Sequence, residues 1–324
     1  MIHPKDRYNQ RDAANLSPDI VKAAARLLIP NASSVAIAKL SGGFSNGNFL
    51  ATAGERRYVL RFYWAGRELA EREMAVLKIA KKNGVAVPEI FEFREFSGQA
   101  VALMEYIDGT LLEDELLAGK IDCSAVFFEC GRQLATIHAV KFPTAGLFGA
   151  NGKISQKFDF NDECLNFILP PLDGLAGQRL GDAMVQDIRK LISDKWRLAS
   201  DFAYDPCLVH CDFNPKNILV SQNAAAPQTV VIDWEFGMAG HPLADIGNFL
   251  RFENWDYRPS LTEEFLKGYR SIGSQQLSED WLPAAKLIDL AALVNFMNNP
   301  LNYAKTFNTA KILIEQTLAW FKER

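Results

Sequence analysis

The hydrophobic pattern of this 324-residue chain changes period once, near residue 106, and that change limits the folds open to it. Before it, short apolar segments alternate with glycine turns. Ser34–Leu40, Asn48–Thr52 and Arg57–Tyr63, punctuated by Gly42, Gly43, Gly47 and Gly54, are predicted strands. A short helix over Ile20–Leu28, ended by Pro30 and Asn31, precedes them. Arg67–Lys82 places Ala70, Met74, Leu77 and Ala80 at helical spacing and stops at Gly84, a suitable residue for a left-handed helix end. Pro88–Phe96 and Gln99–Tyr106 then form a predicted strand pair turning at Ser97-Gly98.

From Asp108 onward the spacing is helical. Ser124–Val140, Asn161–Leu169, Asp182–Ser200, Thr262–Ile272, Ala284–Asn298 and Thr309–Lys322 are predicted helices. Cys207–His210, Ile218–Ser221 and Thr229–Ile232 read as brief buried strands. The expected class is α+β with two lobes: a small antiparallel β lobe carrying one long helix (1–104), a connector (105–109) and a larger, mainly helical lobe (110–324).

Apolar residues at 48% and charged residues at 23% are the balance of a globular protein. The longest apolar stretch, around Leu287–Met297, is interrupted by Asp289 and Asn295, so no membrane span is expected. A polar N-terminus and five cysteines without a C-x-x-C pair favour a reducing, cytoplasmic setting. Residues 1–105 carry 15 Lys and Arg against 11 Asp and Glu, and the remainder 20 against 28. A basic first part suits an anionic ligand and an acidic second part a cationic one; ordinary surface solvation accounts for the split equally well. An acidic protein without a basic stripe is not expected to bind nucleic acid, and the oligomeric state is left open.

The segment His210-Cys211-Asp212-Phe213-Asn214-Pro215-Lys216-Asn217 has the frame H-x-D-x-x-x-x-N, and the apolar run Val230-Val231-Ile232 delivers Asp233 after it. Phosphoryl transfer needs positioning and neutralisation of charge more than covalent chemistry. A carboxylate at Asp212 can align an acceptor hydroxyl and take its proton, while Asn217 and Asp233 offer the hard oxygen ligands that Mg²⁺ prefers. The competing structural reading is that Asp212 and Asn217 cap a turn around a core histidine. A zinc site at Cys207, His210 and Cys211 fails on ligand count and adjacency.

Together, His210-Cys211-Asp212, Asn217 and Asp233-Trp234-Glu235 resemble the aminoglycoside phosphotransferase family, which lies in one superfamily with choline kinases and type II homoserine kinases. The resemblance runs from about Val35 to Leu250 and implies a protein-kinase-like bilobal fold that moves phosphate from ATP or GTP to small hydroxylated molecules. It implies Asp212 as catalytic base, Asn217 and Asp233 as Mg²⁺ ligands and His210 as a loop-shaping residue. Cys211 stands where the family usually has glycine.

On the nucleotide side, Ser41, Gly42, Gly43, Phe44, Ser45 and Asn46 lie between two predicted strands, as a loop covering phosphates must, although they match neither G-x-G-x-x-G nor a P-loop. Arg61 occupies the place of the β3 lysine of protein kinases and can bind phosphate with two donors. Glu73, with Glu71 in reserve, is its expected carboxylate partner. Glu105 and Ile107 correspond to a hinge whose backbone holds the base; Val59 and Met104 are placed to sandwich the purine, with core packing the default for any single apolar residue. Asp245 and His138 are expected to be structural, Asp245 at a helix start. Acidic residues Asp159, Asp162, Glu163, Glu253 and Asp256 favour a cationic acceptor such as an aminoglycoside or amino alcohol. A catalytically silent nucleotide-binding module and a protein Ser/Thr kinase of the same fold are the alternatives.

Overall fold

The computed structural model of the chain describes residues 16–40, 46–118, 123–221, 228–252, 259–272, 277–301 and 303–324. The predicted loop residues Ser41, Gly42, Gly43, Phe44 and Ser45, and the acidic residues Glu253 and Asp256, lie outside them.

Helix α1 (Pro18–Leu28) starts on Ser17, whose hydroxyl accepts from the Asp19 amide, with Pro18 in the first turn. It buries Val21, Ala24, Ala25 and Leu28, one stripe at i, i+3, i+4 and i+7. That stripe covers the outer face of an antiparallel sheet of order β1-β2-β3-β5-β4, formed by β1 (Ala36–Lys39), β2 (Asn46–Ala53), β3 (Arg56–Tyr63), β4 (Ile90–Phe96) and β5 (Gln99–Glu105). The β4–β5 hairpin turns at Ser97 and Gly98, φ 51° and 75°, the positive pair a two-residue hairpin needs.

Because side chains alternate along a strand, Leu60 and Phe62 of β3 pack under α1 while Tyr63 faces the other way into the main core. Arg61 shares the face of Tyr63 and Val59. Helix α2 (Arg67–Lys82) lies on this inner face, burying Ala70, Glu73, Met74, Leu77 and Ala80, and ends at Gly84 with φ 80°.

The remaining elements are β6 (Gly109–Leu111), α3 (Leu112–Ala118), α4 (Cys123–His138), β7 (Gly146–Phe148), β8 (Ile154–Lys157), α5 (Phe160–Ile168), α6 (Leu175–Leu180), α7 (Asp182–Lys195), α8 (Arg197–Ser200), β9 (Cys207–Val209), β10 (Ile218–Ser221), β11 (Gln228–Val231), β12 (Met238–Gly240), α9 (Leu243–Leu250), α10 (Pro259–Arg270), α11 (Trp281–Met297) and α12 (Ala304–Lys322). Sheets β11-β10-β6 and β8-β7-β12-β9 are small and antiparallel. The single helix expected over Asp182–Ser200 is two, α7 and α8, joined at Trp196. β6, β7, β8 and β12 were not foreseen, since each carries glycine or polar residues in place of the apolar run that marks β9, β10 and β11.

Helix α11 is apolar nearly all round because α5, α6, α8, α9 and α12 surround it, so its composition reports a core position. Among the described residues no helix is long and apolar enough to cross a membrane. The mixed α+β architecture, a small sheet lobe with one long helix and a larger helical lobe, is the one the sequence predicts.

Candidate active site

The loop between β9 and β10 carries Asp212, and the end of β11 carries Asp233. Their backbones are tied together, since the Ile232 amide donates to the Asn217 carbonyl at 2.9 Å. His210 fastens the same two segments. Its Nδ1 accepts from the Asp212 amide at 3.2 Å, so its Nε2 carries the hydrogen and donates to the Ile232 carbonyl at 3.0 Å. The ring also meets Trp234 edge-on, with centroids 4.7 Å apart. Fully buried and with both nitrogens engaged, His210 shapes the loop, as its place in the motif implies.

Asp212 is held from both sides. Asn217 Nδ2 donates to Asp212 Oδ2 at 2.7 Å and to the Asp212 carbonyl at 2.9 Å. Asn214 Nδ2 donates to Asp212 Oδ1 at 2.7 Å and to the same carbonyl at 3.1 Å. Burial raises the Asp212 pKa; the nearby Asp233 charge adds to this, and Arg251 and the Asn217 amide oppose it. A raised pKa makes a carboxylate a better proton acceptor. Sequence reasoning missed Asn214 as a partner of Asp212. Its position two residues on was the available signal.

With its amide hydrogens directed at Asp212, Asn217 keeps Oδ1 for another partner. Asp233 stands at φ 66°, a left-handed conformation that aspartate tolerates better than most residues. An amide oxygen and a carboxylate on adjoining segments fit a hard cation whose remaining ligands are phosphate oxygens and water. Among the described residues no three His, Cys, Asp or Glu side chains group to hold a metal unaided, so a metal here would lean on a bound nucleotide.

Arg61, buried on β3, reaches across to these groups: its Nη2 lies 2.5 Å from Asp233 Oδ1, 3.2 Å from Glu73 Oε2 and 3.9 Å from Glu235 Oε2. Helical phase selects Glu73 over Glu71, which pairs instead with Arg67 at 2.7 Å on the exposed side. Burial pushes the Glu73 carboxyl up to about 7 against the pull of Arg61. Burial works against the Arg61 charge, but Glu73 and Asp233 outweigh it, and the guanidinium stays well above its ordinary value. Asn46, at the start of β2, donates to Glu235 Oε2 at 2.9 Å, so Asn46 and Arg61 both join the sheet lobe to the Asp233 segment.

At the connector, the Glu105 amide donates to the Glu89 carbonyl at 2.8 Å and its carboxylate accepts from the Glu89 amide at 3.0 Å. The Ile107 amide has no partner among the described residues. Arg57 straps this segment, bonding Asp108 at 2.9 Å and lying over Tyr106 at 4.5 Å. Val59 and Met104 are cross-strand partners on one face; they form a single wall and cannot clamp a base from two sides.

Asp245 serves the His210–Asn217 loop rather than its own helix start. Its Oδ2 accepts from the His210 amide at 2.8 Å and its Oδ1 from the Cys211 amide at 2.7 Å. Those bonds hold Cys211 at φ 61°, a conformation natural to the glycine expected there. Of the acidic residues assigned to a cationic acceptor, Asp159 is committed to capping α5 through the Asn161 and Asp162 amides.

Comparison with known proteins agrees with this fold. The family model APH, described as a phosphotransferase enzyme family, matches residues 36–285. Aminoglycoside phosphotransferase APH(4)-Ia superposes with a TM-score of 0.68 at 21% identity, covering 92% of this chain and 98% of that one. A spectinomycin phosphotransferase, APH(9)-Ia, solved with ADP and spectinomycin, gives 0.64 at 14% identity over 92% and 97%. Acyl-CoA dehydrogenase family member 11 is 27% identical over 244 residues in Gallus gallus and 24% over 236 in Homo sapiens, covering 69% and 68% of this chain. The chain spans 29% and 28% of those relatives' own lengths. With the family match running over most of its length and the kinase-like architecture in place, the chain belongs to the APH phosphotransferase enzyme family.

Proposed function

We propose that the chain is a Mg²⁺-dependent kinase that moves the γ-phosphoryl group of ATP or GTP onto a hydroxyl of a small molecule. The observation that carries this reading is the Asp212 carboxylate held between the Asn214 and Asn217 amides, on a loop whose Asn217 carbonyl is bonded by the Ile232 amide next to Asp233. Asp212 orients the acceptor hydroxyl and takes its proton. Mg²⁺, held by Asn217 and Asp233, would neutralise charge on the phosphates. Arg61 gives up part of its hold on Asp233 to grip phosphate, kept in place by Glu73. Residues Ser41 to Asn46 are assigned to cover the phosphates, and the connector 105–109 receives the base through the Ile107 amide. Glu105 would contribute its carbonyl, because its amide is already committed.

The acidic balance of the helical lobe supports a cationic acceptor, an aminoglycoside or an amino alcohol. A second acceptor class follows from the relatives' name: a hydroxylated acyl thioester is what a phosphotransferase resembling part of an acyl-CoA dehydrogenase family protein would share with it. All three groups at 212, 217 and 233 are present, which favours turnover over a silent binding role.

The test measures ADP and GDP release with and without Mg²⁺ across aminoglycosides, amino alcohols and hydroxyacyl thioesters. Acceptor-stimulated release is expected, abolished by a chelator and lowered about 10²–10⁴-fold by Asp212→Ala with nucleotide affinity retained. Equal turnover in wild type and Asp212→Ala refutes the assigned base.

A further inference from the structure

A chain of buried polar contacts behind the catalytic loop extends beyond Asp245. Helices α4 and α10 cross with their backbones in contact. A Cβ on Gly131 would overlap the Phe265 carbonyl, and one on Gly268 would overlap the Phe128 carbonyl. This close crossing brings the Tyr269 hydroxyl to 2.8 Å from His138 Nδ1. His138 Nε2 in turn lies 3.2 Å from Asp245 Oδ2, the oxygen that also accepts from the His210 amide. Tyr269, His138 and Asp245 are all buried.

The direction of each bond follows from what each group can donate. A carboxylate only accepts, so His138 Nε2 must carry its hydrogen. Nδ1 of a neutral ring must then accept, and Tyr269 must be the donor. Burial keeps both groups in the required forms, lowering the His138 pKa and raising that of Tyr269 well above its ordinary value. With the other tautomer, a ring lone pair would face the Asp245 carboxylate.

Asp245 therefore fixes the tautomer, and the hydroxyl supplies the donor that the bare Nδ1 of the buried ring then needs. We propose that Tyr269 is a positioning residue for phosphoryl transfer, anchoring the His138 ring through Nδ1 so that its Nε2–H stays on Asp245 while Asp245 holds the His210 and Cys211 amides and keeps Asp212 in place. A second connection runs parallel to it. Tyr269 stacks on Phe265, Phe265 stacks on Phe249 with centroids 4.5 Å apart, and Phe249 meets Phe213 at 5.4 Å, next to Asp212. Tyr269→Phe keeps those rings and removes only the hydroxyl.

The kinetic part of the inference rests on the reading of Asp212 as base; the tautomer does not, so the two can fail separately. The chain has four histidines, which makes selective ¹⁵N-histidine labelling with long-range proton–nitrogen correlation spectra decisive. His138 of the wild type is expected with Nδ1 unprotonated and Nε2 protonated. Tyr269→Phe should shift the His138 Nδ1 resonance as that nitrogen loses its hydrogen bond. It should also lower kcat roughly tenfold while leaving the KM for nucleotide within about twofold. A protonated Nδ1 in the wild type overturns the proposal without any variant being needed. An unchanged His138 spectrum in folded Tyr269→Phe, or a kcat equal to wild type, also overturns it.

Discussion

Asp245→Asn isolates what holds the His210–Asn217 loop, because it preserves shape and removes one acceptor. In the wild type both carboxylate oxygens are used, by the His210 amide at 2.8 Å, the Cys211 amide at 2.7 Å and His138 Nε2 at 3.2 Å. An asparagine oxygen can serve His210 and His138, but its amide nitrogen then faces the Cys211 N–H, donor against donor. Losing a hydrogen bond to a charged acceptor in a buried site costs about 1.5–3 kcal/mol. The two surviving bonds weaken as their acceptor becomes neutral, by about 1 kcal/mol each. Relief from burying a carboxylate returns part of this, leaving a net loss of about 3 kcal/mol. Cys211, no longer held at φ 61°, relaxes toward a commoner backbone conformation and carries Asp212 with it. A displacement of about 1 Å in a reacting group lowers turnover by about 10²-fold. Urea unfolding at constant slope, with ADP release measured on the folded protein, reads both quantities. A stability loss under about 1 kcal/mol together with unchanged turnover would refute the reasoning.

Two further outcomes are expected. Glu73 keeps its proton in the folded chain up to about pH 7 but loses it near 4.5 when unfolded, so the folded state binds more protons between those values. Stability of the nucleotide-free protein should therefore fall by at most about 3 kcal/mol as pH rises from 4.5 to 7; urea midpoints in Glu73→Gln should lack that slope. Gly131→Ala pits helix propensity, about 1 kcal/mol in favour of alanine, against overlap with the Phe265 carbonyl, a backbone atom that cannot swing aside. Overlap should win, with a loss of about 3 kcal/mol in thermal or urea unfolding.

Much of the candidate site is legible in the chain because its spacing is local. The eight residues His210–Asn217 fold into one loop, and a run of three apolar residues is enough to place Asp233 at a strand end. Glu73 and Glu71 were both open from the sequence, and helical phase separates them, since Glu73 falls on the stripe of Ala70, Met74 and Leu77. The partner of Asp245 was misread, because a helix-start aspartate ordinarily caps its own amides, and only the packing of α9 behind the loop redirected it 35 residues back. The Asn46–Glu235 contact, 189 residues apart, left no local signal at all.

By itself the sequence determined the two-lobe α+β architecture and the loop bearing Asp212, because hydrophobic period and turn residues act over a few neighbours. Tertiary structure alone decided which polar groups meet: Arg61 with Asp233, His138 with Tyr269, and Asp245 with the loop amides. Hydrogen bonds and ion pairs of this kind depend on geometry set by element packing, and the order of residues along a chain does not encode their directions.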